Sequence, residues 1–142
     1  MNKFINNIYG PTSNELLARV IKIQSIDFSE TKFFTTDKEI LQCGVVSYQS
    51  EFRPKFHSHL PVKRSIVGTS ESLYILSGKG NLQLLENPSD KEIINIEVGQ
   101  GDLINLLSGA HRIVPKDTNL TMLEVKNGPY VSRDQDKKFI DR

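Results

Sequence analysis

The chain has 142 residues, 37% of them hydrophobic and 25% charged, and its 18 basic and 17 acidic side chains leave a formal net charge of +1. These figures fit one ordinary globular domain with a core of its own. They exclude partners recruited by bulk charge, whether nucleic acid or an anionic membrane.

No apolar run approaches the length of a membrane span. Met1–Gly10 holds neither a continuous apolar stretch nor a small-residue cleavage site, so no secretory signal is expected and a cytoplasmic location is the default. A single cysteine, Cys43, cannot form an intrachain disulfide; within the apolar run Ile40–Tyr48 it reads as a small buried hydrophobe. No repeat or linker divides the chain.

In chain order, the first predicted element is a short helix over Asn14–Val20, capped by Ser13 or Thr12. Short strands follow: Arg19–Gln24, Ile40–Gln49, Glu51–His59, Glu71–Leu76, Asn81–Glu86, Glu92–Glu97, Leu103–Leu107, His111–Val114 and Leu120–Lys126. Turn residues punctuate them at Ser77–Gly80, Asn87–Asp90, Gly99–Asp102, Ser108-Gly109 and Pro115–Asp117. Many short strands and no βαβ rhythm predict an all-β antiparallel sandwich or barrel. Ser132–Lys138 is polar and reads as a loosely docked surface tail.

The chemistry centres on three histidines, all that the chain has. His57 and His59, one residue apart on an extended segment, point to the same side and can converge on one ion. Glu71 shares the parity of Leu73 and Ile75, so its carboxylate faces the core side, where it is costly unless paired or metal-bound. His111 follows the tight turn Ser108-Gly109-Ala110. Three imidazoles and a carboxylate suit a divalent transition metal such as Zn, Fe, Mn, Ni or Co.

Arg53 and Lys55 share the parity of the histidines. They either lean into the same cavity and favour an anionic ligand, or lie beyond its rim in solvent. Glu124 and Lys126 alternate with Leu123 and Val125. They form either a solvent-facing ion pair turned away from the core or a general base and an anion anchor inside a cavity. Tyr74 and Tyr130 are open between packing and ligand contact. Ser70 and Ser72 have no partner histidine at triad spacing, and Gly78-Lys79-Gly80 is a hairpin turn, not a phosphate loop.

His57-Ser58-His59, then Glu71, then Gly78 resembles the first signature of the cupin superfamily. Gly101-Asp102-Leu103 with Gly109-Ala110-His111 resembles the second. The resemblance implies a cupin double-stranded β-helix, or jelly roll, with its barrel core at about 40–127, a helical or extended segment at 1–18 and a tail at 131–142. It implies His57, His59, Glu71 and His111 as metal ligands. The gap between His59 and Glu71 is longer than the family's usual one, so a loop at Pro61–Ser70 has to be accommodated. Leu123–Tyr130, with Asp136-Lys137-Lys138 after it, is similar to the ending of WbuC-like cupin metalloproteins encoded among surface-polysaccharide genes.

The expected function is therefore a metal-dependent enzyme acting on an anionic sugar or nucleotide-sugar, by isomerisation or epimerisation next to a carbonyl. Glu71 or Glu124 would move the proton, and Arg53, Lys55, Tyr74, Lys126 and Tyr130 would contact substrate. The alternatives are an Fe(II)-dependent dioxygenase, a non-catalytic carbohydrate-binding or sensing module, and a metal-stapled barrel that binds another protein. A homodimer is expected, through edge strands in Arg19–Gln49.

Overall fold

The computed structural model describes residues 4–141, so the outermost positions of the 1–142 domain lie outside it. Among the described residues ten strands form: β1 Ile5–Tyr9, β2 Leu16–Lys22, β3 Lys32–Phe33, β4 Gly44–Val45, β5 Glu71–Ser77, β6 Lys79–Leu85, β7 Ile94–Gly99, β8 Asp102–Leu106, β9 Ala110–Pro115 and β10 Thr121–Lys126. The single α-helix among the described residues is α1, Arg133–Asp136, whose first turn is capped by the Ser132 side chain.

The all-β expectation holds, and the sheets are antiparallel. The principal sheet runs β1-β2-β8-β5-β10, a second runs β7-β6-β9, and β3 and β4 make a small ribbon. The two larger sheets share one core. Val20, Leu73, Ile75 and Ile104 come from the first, Leu82, Leu84 and Val98 from the second. Burial of each such side chain stabilises the fold by roughly 1.5–3 kcal/mol. No closed barrel forms among the described residues, because β9 and β10 are both outermost strands with an open edge.

Three sequence expectations are corrected. Leu16–Lys22 is a strand where a helix was expected over Asn14–Val20. Its Leu17, Ala18, Arg19, Val20 and Ile21 are all buried, so both faces are covered; so short an apolar run carries no period that separates helix from strand. With β1 it belongs to the principal sheet, and Ile8, Leu17, Ala18 and Val20 join the core. Glu51–His59 pairs with no strand: Pro54 offers no ladder donor, and charged Arg53 and Lys55 flank it in an exposed stretch. The Ile40–Gln49 strand contracts to Gly44–Val45.

The β5–β6 turn is set by Gly78. Its φ of +85° suits glycine, and a Cβ there would lie 2.1 Å from the carbonyl oxygen of Asn119. On the outer face of the principal sheet, segment 34–43 is clasped by Arg19. That guanidinium donates to both carboxylate oxygens of Glu39, at 2.9 and 3.0 Å, and to Asn7 Oδ1 at 3.0 Å.

Candidate functional site

Glu71 and His111 meet across the two sheets. Glu71 opens β5 on the face of Leu73 and Ile75, as its parity predicts, and is only 7% exposed. His111 pairs in register with buried Leu84 of β6 and so faces inward from the second sheet. The Nε2 of His111 lies 3.1 Å from Glu71 Oε2. An ionised carboxylate only accepts, so the imidazole proton of this bond sits on Nε2. Turn residue Gly109, at φ +73°, positions the strand that carries the histidine.

The hydrogen bond from His111 holds the Glu71 carboxyl below its ordinary pKa. Burial opposes this, and the charges of His111, Lys137 and Lys126 reinforce it. Lys137 Nζ stands 3.9 Å from Glu71 Oε1. Lys126 pairs in register with Glu71 on neighbouring β10 and forms an ion pair with Glu124 at 2.9 Å. Its own pKa is raised, chiefly by that hydrogen bond to Glu124.

These groups border an open cleft of about 1430 Å³. Lys126, Asn127, Tyr130 and residues 135–140 form one side, and Leu85, His111 and Arg112 belong to the other sheet. Five basic side chains line it against two acidic ones, on a chain whose net charge is only +1. Asn127 fixes its rim: the side chain accepts from the Ser70 amide at 2.8 Å and donates to the Gly68 carbonyl at 3.2 Å.

The structure brings together some of the residues singled out from sequence and leaves others apart. Glu71, His111, Lys126 and Tyr130 border the cleft. Glu124 sits on the same face of β10 as Lys126 but does not line the cleft. The placement of this pair corrects one expectation: Leu123 and Val125, at 54% and 51% exposed, take the open outer face, while Glu124 and Lys126 share the face of Leu73 and Glu71. On an edge strand with an uncovered outer face, apolar alternation does not mark the core side. Tyr74 lies on the opposite face of β5 from Glu71, in register with Leu123, and is not part of the cleft.

His57 and His59 lie on the exposed stretch before β5, their rings 5.4 Å apart edge to face. They do not border the Glu71–His111 pair, and among the described residues no group of three or more His, Cys, Asp and Glu side chains converges on one point. Arg53 and Lys55 are on the same stretch. Arg53 donates to the backbone carbonyls of Ser50 and Phe52 and faces solvent. Cys43 is half-buried beside Thr35, away from the cleft.

Sequence reasoning missed Lys137, Lys138 and Arg64 as cleft residues. The Lys137-Lys138 doublet was visible, but only the return of the C-terminal segment onto β5 gives it a place. Comparisons with protein-family models, curated proteins and solved structures returned no match.

Proposed function

We propose that the chain is a metal-dependent cupin-type enzyme that isomerises or epimerises an anionic sugar or nucleotide-sugar next to its carbonyl. The observation that carries this reading is the inward-facing Glu71–His111 pair on the floor of a basic cleft. Its carboxylate oxygen and imidazole nitrogen are the donor types a divalent transition metal takes, and the pair supplies two donors of the expected four. His57 and His59 would supply the others by bringing their segment to the open edge of β9. Two features support that step. An uncovered strand edge favours pairing, and the segment is rich in exposed apolar side chains, among them Phe56, Leu60 and Val67. The twelve-residue tether from His59 to Glu71 spans up to roughly 40 Å when extended, ample to cross a sandwich.

When bound, the metal would polarise a substrate carbonyl. The chain's residues do the rest: Lys126 and Tyr130 orient the ligand, and Glu71 or Glu124 holds the migrating proton. A second, non-catalytic reading as a metal-dependent carbohydrate-binding module is favoured by one observation: Glu124 is engaged by Lys126 and does not itself line the cleft. Self-association would use the exposed Phe33, Ile40 and Val46 around the β3–β4 ribbon.

The experiment combines metal uptake by the purified chain with hydrogen–deuterium exchange of phosphorylated sugars followed by NMR in heavy water. The enzyme reading expects about one zinc, nickel or manganese ion per chain, lost in His111→Ala and in His57→Ala. It also expects exchange at the carbon next to the carbonyl. Uptake with sugar binding but no exchange selects the binding module. Wild-type protein that takes up no metal overturns both.

A further inference from the structure

Beside the Glu71–His111 pair, Lys137 reaches toward Glu71 from the segment after α1, and Lys126 stands in register with Glu71 on β10. The Glu71 carboxylate is already engaged by His111. At 3.9 Å, Lys137 is at the outer limit of an ion pair, and its side chain is 47% exposed. Nearby Asp136 accepts from the Val131 backbone amide at 3.3 Å, which orders the same segment. Lys126 is ion-paired at 2.9 Å with Glu124, which does not line the cleft, and Lys137 stands near Glu71, so two ammonium groups from separate elements are held at the floor of a cleft whose lining is predominantly basic. The ring of Tyr130, 66% exposed, stands in the same wall.

We infer that Lys126 and Lys137 form a binding site for a phosphate or diphosphate group of a small molecule, and that segment 130–140 is a wall of this site. Ammonium groups on two converging elements suit an anion with several acceptor oxygens better than a single carboxylate. The exposed tyrosine face suits a sugar or base ring attached to that phosphate. The inference rests on reading the cleft as a ligand site, but not on a metal, since neither lysine is a ligand to one.

The test uses the full chain stripped of metal by chelator and titrated calorimetrically with inorganic pyrophosphate. A nucleoside diphosphate and a sugar 1-phosphate serve as parallel arms that separate the two sources of phosphate. Saturable binding by the wild type is expected, weakened about tenfold or more in both Lys126→Gln and Lys137→Gln, as for loss of one charge-assisted contact. Lys91→Gln, whose side chain is outside the cleft lining, is expected within about twofold of wild type. Absence of saturable binding by the wild type, or equal weakening in all three variants, overturns the site. Circular dichroism checks that each variant is folded. Zinc uptake, measured separately in Lys137→Gln, is expected at the wild-type level, so failure of the metal reading and failure of this one give different results.

Discussion

Replacing Arg19 by methionine tests whether the clasp behind β5 holds the fold. The Arg19 and Glu39 side chains are 5% and 13% exposed, so solvent screens the pair little. The substitution keeps an unbranched apolar stem but removes both bonds to Glu39 and the bond to Asn7. Breaking a fully buried pair by removing one partner costs about 3–5 kcal/mol. Here Glu39 keeps its bond from the Thr36 amide at 2.9 Å and some contact with water, so about 2–4 kcal/mol is expected. For a domain of this size that is a fall in Tm of roughly 10 °C. Urea unfolding at pH 7 measures it directly.

Acid supplies a second arm. Burial pushes the Glu39 carboxyl up, but the bonds and charge from Arg19 and the Thr36 amide outweigh it, leaving the folded-state pKa below 4.5. A carboxyl depressed in the folded state contributes stability fully above its unfolded pKa. That contribution disappears as pH falls through the folded pKa. The stability gap between wild type and Glu39→Gln is therefore expected to be constant from pH 7 to about 5.5 and to shrink below 4.5. An Arg19→Met protein within about 0.5 kcal/mol of wild type at pH 7, or a gap that widens in acid, would refute the reasoning.

Two further outcomes test the scaffold. Gly78→Ala places a Cβ against the Asn119 carbonyl at a positive φ; a loss of about 2 kcal/mol or more is expected by thermal unfolding, and a neutral result would mean that the turn relaxes freely. Asn127→Ala strips the Ser70 amide of its acceptor in a buried position, so about 1–3 kcal/mol and faster amide exchange at Ser70 are expected; unchanged exchange would show that the link is idle.

How much of this was legible in the sequence depended on punctuation. From Glu71 onward, turn residues bracket each strand, and the predicted spans match β5 to β10 within about two residues at either end. Glu71 was readable because parity with Leu73 and Ile75 is a purely local property. β1 was not, because the adjacent Asn6 and Asn7 interrupt any apolar alternation in Ile5–Tyr9, which becomes a strand through pairing with β2. The face of Glu124 and Lys126 was misread because alternation tells which residues share a side but not which side is covered. The placement of Lys137 beside Glu71 depends on a contact across 66 positions, and no local pattern encodes it.

The side chain of Asn127 has one further consequence. It ties Gly68 and Ser70, the root of the histidine-bearing stretch, to the last turn of chain before the cleft's basic wall. One amide is thus a shared pivot for two arms of the molecule. Force applied to either arm, by a ligand gripped on one or a strand docking on the other, reaches its counterpart through two hydrogen bonds rather than through the core.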